Sequence, residues 1–478
     1  MAKSKRARPK RSKTSKTVKT VKAVKTTRKG GAGVSSGAVT PDTLASMEAN
    51  FAANANYRTM QNAITQVSVQ KLATRREVVA AGDHTFSTKL DDWTATAQKA
   101  SGRCWLFAGL NLLRAGAMKK MKMKDFEFSQ NWPLFWDKLE KANHFLEAII
   151  ETADRPVDDR TVAFLLAQPI SDGGQWNMFV NIIDKYGLVP KSAMPETESS
   201  SNTGAMNQLL VAKLRQGAHT LRERKANGAS LERLRATKNV ILTVVHRILK
   251  IHLGDPPETF DWQWRDKDEA FHRDENMTPR AFAKKYVTLP VGEYVCLVND
   301  PRATSPMGRT FTVEYLGNVV GGSQVVYLNV DISLIKSIAQ KTLAAGEPVW
   351  FGCDVGKEME RDAGLWDAHL HDYEGIYGTN FQLDKASRLE YGASSMTHAM
   401  VFTGVDVVKN APRRWRVENS WGTDRGNKGF FLMNDSWFDE HMFEIAARKK
   451  YLPQKLVKAL AEPPIVLPAW DPMGSLAR

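Results

Sequence analysis

Cysteine is scarce in this sequence, with three in 478 residues, at Cys104, Cys296 and Cys353. So few, so scattered, cannot build a disulfide framework, and no two stand at the CxxC spacing of a structural zinc site. No apolar run approaches the ~18–20 uncharged residues of a membrane span. The N-terminus lacks the apolar core of a secretory signal. Together these absences point to a soluble chain in a reducing cytoplasm. Acidic residues are also missing from residues 1–30, which carry 13 of the 67 Lys and Arg. The other 54 basic residues nearly cancel 52 acidic ones, so the formal net charge of +15 belongs to the tail.

In that tail Lys13, Lys16, Lys19, Lys22, Lys25 and Arg28 recur every third residue, a period that is not helical. Like charges at that density repel, so residues 1–29 are expected to be disordered and to bind nucleic acid or another polyanion without sequence preference. A solubilising extension or an Arg-rich transit peptide are the other readings. A Gly/Ser linker over 30–37 separates tail from body, giving a division at residue 41.

The body, 42–478, is long enough for two lobes. Helical periodicity is read over 43–66, 104–122, 132–150 and 205–254, the last ended by Gly254-Asp255-Pro256-Pro257. From about 286 short apolar runs at 294–298, 324–328, 348–352, 399–402 and 414–417 read as strands. Helices first and strands after predict a mixed α+β fold of two lobes.

The chemistry concentrates around Gln98 and Cys104-Trp105-Leu106-Phe107. A cysteine opening an apolar helix gains positive potential from the helix terminus, which favours thiolate. A Gln six residues earlier can aim an N–H at a developing oxyanion. Such a nucleophile needs a base, and the base an orienting partner. Among ten histidines, His398 stands out at the entrance to an apolar strand. Asn419, in Glu418-Asn419-Ser420-Trp421-Gly422, ends the next strand and could fix one imidazole tautomer, with Trp421 shielding that bond. Cys296 and Cys353 lie in strand patterns and read as packed thiols. His369 and His371 beside Asp367 and Asp372 read as a surface cluster rather than a metal site, and no cofactor is expected.

The set Gln98, Cys104-Trp105, His398 and Asn419-Ser420-Trp421-Gly422 resembles the papain-like cysteine peptidases. The separation of 294 residues from Cys104 to His398 exceeds the usual ~130–150, so a large helical insertion is expected over about 205–275. The strand-rich lobe would then cover about 286–450. The segments Asp172-Gly173-Gly174-Gln175-Trp176, 296–302, 314–322, 346–357 and 467–474 resemble the bleomycin hydrolase and aminopeptidase C branch, over roughly 42–478.

The resemblance implies Cys104 as nucleophile paired with protonated His398, Asn419 as orienter, and Gln98 with the Cys104 N–H as oxyanion hole. It implies Gly173 and Gly174 as a strip for substrate backbone and Trp421 as a further substrate-binding residue. It further implies that the C-terminal arm, about 463–478, lies in the cleft and that a terminal carboxylate meets the substrate's free amine, so that Ala477 and Arg478 touch substrate and Arg478 is trimmed by self-processing. Peptide substrates and a homohexamer with inward-facing sites follow from the same resemblance. One departure is Ser101, where secreted relatives carry a disulfide cysteine; it supports a cytoplasmic enzyme. Two other readings stay open: hydrolysis or transfer of a non-peptide amide by the same triad, and a nucleic-acid-associated protein whose basic tail tethers the body to DNA or RNA.

Overall fold

The computed structural model describes residues 37–90 and 92–476. The basic segment 1–29 and the terminal pair Ala477 and Arg478 lie outside them. The chain divides into two compact units, Met1–Asn62 and Ala63–Arg478.

In the first unit, helix Pro41–Ala53 starts where Thr40 Oγ1 accepts the Thr43 N–H at 3.2 Å, with Pro41 at a position that needs no donor. The helix expected over 43–66 is two helices. Asn54 is extended at φ −111°, and its side-chain oxygen accepts the Asn56 N–H at 3.0 Å, so a second helix, Ala55–Ile64, starts afresh.

The second unit is built around helix Cys104–Met121. Fourteen of its 18 residues are buried, the mark of a helix apolar on all sides that runs through a core. Helix Asn131–Glu151 lies nearby, and the pair Gly204–Ala226 and Leu231–Leu253 packs against it. Gly228, at φ +79°, turns the chain between the pair, a conformation that suits glycine. The insertion expected as helical over 205–275 is helical only to Leu253. Phe260–Arg265 and Phe271–Met277 then form a two-stranded hairpin. Phe260, Trp262 and Trp264 alternate along its first strand, and Trp264 stacks on His272 at 4.9 Å. This period of two outweighs helix propensity there.

The strand-rich half forms a 12-stranded sheet among the described residues. At its centre His398–Val408 pairs antiparallel with Val349–Cys353 on one side and Ala411–Glu418 on the other. Along it Ala399 and Val401 face the core shared with helix Cys104–Met121, whereas Met400 and Phe402 face a second core with Phe351, Trp415 and Phe438. Strand alternation thus separates two cores across one sheet. Strand Ile465–Leu467 runs parallel to Thr310–Val313 at the far edge and leads into the C-terminal arm. The fold is the mixed helix and sheet expected from sequence. No described helix is long and apolar enough to cross a membrane.

Candidate active site

Cys104 is the first residue of its helix, after Arg103 at φ −91° and ψ 14°. No side chain caps that helix end. Arg103 is instead buried in a two-pronged pair with Glu196, at 2.9 and 2.7 Å. Trp105 is also buried; its indole N–H donates to the Asp172 carbonyl at 2.6 Å, and its own carbonyl accepts from Trp350 Nε1 at 3.2 Å. Trp105 thus ties the Asp172 segment to strand Val349–Cys353.

His398 opens its strand, and the Cys104 sulfur lies within hydrogen-bonding reach of the next residue's backbone, at Ala399. The register pairs Val401 with Glu418, so His398 and Asn419 come to the same end of adjacent strands. There His398 Nε2 meets Asn419 Oδ1 at 3.0 Å. The Trp421 ring sits 5.2 Å from the imidazole, centroid to centroid. Gln98 is fixed on the same side: its backbone N–H donates to the Ser420 carbonyl at 2.8 Å, and its Oε1 accepts from Ser420 Oγ at 2.5 Å. Its Nε2 donates one hydrogen to the Ser101 carbonyl at 2.6 Å, which leaves the second for another acceptor.

Gly174 packs against the Trp105 indole so closely that a Cβ there would stand 2.5 Å from the ring. The strip is fastened from behind. Lys141 Nζ donates to the Gly173 carbonyl at 2.5 Å and pairs with Asp137 at 2.6 Å. Asp172 meets Lys138 at 2.6 Å, the Gly102 N–H at 2.9 Å and Asn207 at 2.8 Å. Lys138 and these hydrogen bonds hold the Asp172 carboxyl far below the usual carboxylate range despite its burial. Sequence reasoning found Asp172 only as part of a glycine motif; Lys138 and Lys141 gave no signal, being two lysines on a helix.

The described part of the arm reaches the Gln175 and Met396 segments. Asp471 is gripped by Arg302 at 2.9 Å, itself paired with Asp300 at 2.8 Å, and Trp470 lies under the Arg160 guanidinium at 3.9 Å. Beyond them the Ser475 carbonyl accepts from Gln175 at 2.7 Å, directly after the glycine strip. Ser475 Oγ donates to the Met396 carbonyl at 2.9 Å, two residues before His398. Leu476 packs on the core that holds Cys104.

Electrostatics depart from the sequence expectation in one respect. Cys104 is 0% and His398 2% exposed. Burial pushes the thiol up to about 12, and it pushes the imidazole down to about 4 although Asn419 favours its charged form. Raising a thiol from 9.0 to about 12 reflects about 4 kcal/mol against the thiolate. A helix terminus contributes at most about 2 kcal/mol in its favour. Desolvation outweighs it, and burial favours the uncharged form of both the Cys104 thiol and the His398 imidazole.

Cys296 donates to Asn177 at 3.1 Å, and Cys353 lies across the strand from His398; both are buried and free. His371 meets Glu358 at 3.0 Å, and no cluster of three or more ligating side chains occurs among the described residues.

Comparison with known proteins agrees with this architecture. The chain is 43% identical over 439 residues to aminopeptidase C of Lactobacillus delbrueckii subsp. lactis, covering 91% of this chain and 98% of that one. It is 40% identical over 454 residues to human bleomycin hydrolase, covering 93% and 100%. The crystal structure of PepW from Lactobacillus rhamnosis superposes with a TM-score of 0.91 at 45% identity, over 92% of this chain and all of that one. Residues 38–474 match the Peptidase C1-like family, and the chain belongs to it.

Proposed function

We propose that this cysteine aminopeptidase releases N-terminal residues from peptides through Cys104, His398 and Asn419, with Gln98 as an oxyanion donor. The observation that carries the reading is the buried His398–Asn419 contact of 3.0 Å at the strand end where the Cys104 sulfur abuts Ala399. With Oδ1 of Asn419 accepting from Nε2–H, the other ring nitrogen is left as the base. As the sulfur attacks the scissile carbonyl, His398 takes the thiol proton and then gives it to the leaving amine. In the second half it takes a proton from water, which attacks the acyl-enzyme and frees the product acid. The carbonyl oxygen, negative in each tetrahedral intermediate, is received by the second N–H of Gln98 and the backbone N–H of Cys104. Losing one such donor costs about 3–4 kcal/mol.

An uncharged pair suits this sequence of transfers. Charge appears only when substrate supplies the acceptor. The glycine strip supports an extended backbone beside it, because Gly174 has no Cβ to hold a peptide away. The placement of Ser475 between Gln175 and Met396 supports an arm that blocks longer peptides, with the terminal carboxylate, that of Ala477 once Arg478 is trimmed, meeting the substrate's amine. Three unpaired cysteines support a reducing, cytoplasmic setting. The same reading includes a homohexamer of the 53.4 kDa chain, to be checked by light scattering, and a division between a basic tail, 1–41, and a peptidase body, 42–478.

The test is hydrolysis of aminoacyl and N-blocked fluorogenic amides by the wild type and by Cys104→Ala. Turnover of free-amine substrates that vanishes in Cys104→Ala is the expected result. Equal activity of the two proteins rejects the nucleophile, and preference for blocked substrates rejects the exopeptidase.

A further inference from the structure

Beside Gln98 and Gly102 opens a cavity of about 470 Å³ whose outer side is built by the inserted helix Gly204–Ala226. Thr203, Asn207, Val211 and Arg215 recur every fourth residue, so they form one stripe along that helix and its N-cap. Each does something at the cleft. Thr203 Oγ1 donates to Asp172 Oδ2 at 2.5 Å, and Asn207 Nδ2 donates to Asp172 Oδ1 at 2.8 Å. Val211 lines the cavity with Ala167 and Ile170. Arg215 donates to the carbonyls of Leu166 and Ala167, both at 3.1 Å, and so ties the facing segment to the helix.

The cavity's place fixes what enters it. A residue whose carbonyl lies between the Gln98 amide and the Cys104 N–H has its Cα one bond from there. On a backbone paired with the glycine strip, its side chain points to one face. Gln98, Gly102 and Asp172 line the cavity, and Gln98 is the oxyanion donor and Asp172 the start of the glycine strip in the reading above. Asp172 is the one charged residue in the lining, and its oxygens are already taken by Lys138, Gly102, Thr203 and Asn207. The wall therefore offers apolar surface and neutral dipoles, with no free charge. The side-chain oxygen of Asn207 is buried and has no hydrogen-bond partner among the described residues.

We infer that this helix face is the specificity wall of the peptidase, that it receives the side chain of the substrate's first residue, and that it selects large uncharged residues, with Val211 setting the upper size. The inference rests on the aminopeptidase reading above. An N-terminal Asp or Glu would set a second carboxylate beside Asp172 with no spare cation in the lining, so such substrates are expected to be poor.

The experiment compares alanyl, phenylalanyl and glutamyl aminocoumarin amides on the full-length wild type, Val211→Trp and Val211→Ala, with thermal melting of each protein alongside. For Val211→Trp, the ratio of kcat/KM for phenylalanyl over alanyl substrate is expected to fall about tenfold or more. Val211→Ala is expected to move the ratio the other way, and it serves alone if Val211→Trp melts early. A ratio that stays at the wild-type value in the folded variants overturns the wall, as does a glutamyl amide cleaved as fast as the phenylalanyl one. Cys104→Ala distinguishes the two levels: if it cleaves all three substrates like wild type, the peptidase reading itself fails, whatever the ratios do.

Discussion

His398 Nε2 and Asn419 Oδ1 stand 3.0 Å apart with both side chains buried, and the same Oδ1 accepts the Ser420 N–H at 2.8 Å. The backbone bond pins the amide so that its oxygen, not its nitrogen, faces the ring. An imidazole facing an oxygen must present N–H there, which fixes the tautomer. Gln98 depends on the same loop, through the Ser420 hydroxyl and carbonyl. The orientations of His398 and Gln98 are thus set by two consecutive residues, Asn419 and Ser420.

Asn419→Ala should lower kcat by roughly tenfold or more, the cost of one lost orienting hydrogen bond in a dry site, with KM little changed. Steady-state kinetics on one aminoacyl amide measures this. A fall confined to KM means that Asn419 acts on binding and not on the base.

Burial of His398 has a sign that can be checked. Its folded-state value, about 4, lies below the ordinary 6.5. The folded protein therefore resists protonation that the unfolded chain accepts. The stability contributed is fully present above pH 6.5 and is lost as pH falls toward 4. The loss amounts to about 3 kcal/mol from this group. Denaturant unfolding of wild type and His398→Gln across that window should show wild type losing the more. Parallel curves would contradict the buried neutral imidazole.

Asp172→Asn should destabilise the fold and not only slow turnover. It leaves Lys138, which has no exposed side-chain surface, without its carboxylate. An unpaired buried charge typically costs about 3–5 kcal/mol. Gly174→Ala should be comparably harmful, because its Cβ would meet Trp105 at 2.5 Å. If both variants unfold at the wild-type denaturant concentration, the strip is not fastened as described.

The residues proposed here as a triad stand out in the sequence because their signals are local: a Cys-Trp pair opening a helix, a His before an apolar strand, an Asn-Ser-Trp-Gly after another; the structure brings His398 and Asn419 into contact. Five of the twelve sheet strands were legible from apolar runs, the run at 324–328 only at its end, where the strand is Tyr327–Asn329; Thr310–Val313, Phe430–Asn434 and Met442–Arg448 were not read. What was hidden is what tertiary packing assembles. Asp172, Lys138 and the pair Thr203 and Asn207 come from three separate segments, and no spacing links the three. Glu418 looked like the residue before Asn419; its carboxylate is buried against Arg114 at 2.5 Å and the Trp93 indole at 2.8 Å. The preference for an uncharged thiol was hidden for another reason. A helix terminus can be read from sequence, but the loss of water around a side chain cannot.

The arm yields a fourth prediction. Deleting residues 475–478 removes the bonds from Gln175 and to Met396 and opens the cleft beside the glycine strip. Cleavage of N-blocked peptides should then rise by an order of magnitude or more relative to aminoacyl amides, since the fixed carboxylate would no longer favour the free amine. Intact mass of the active wild-type enzyme gives a related readout, because self-processing predicts a chain lacking Arg478. A truncated enzyme that keeps the wild-type preference would place exopeptidase selection elsewhere.

The tail yields the last. Residues 1–30 hold 13 basic residues and no acid, whereas the rest of the chain is nearly balanced. Affinity for duplex DNA of any sequence should therefore reside in the tail and vanish on deleting residues 1–36, with peptidase kcat/KM retained. In the full chain the logarithm of affinity should fall against the logarithm of salt with a slope of about −0.9 for each phosphate neutralised. The truncated body lacks the charge excess to release many counterions. If it binds DNA as tightly as the full chain and with the same slope, the site lies on the body, and the division of charge between tail and peptidase does not divide their functions.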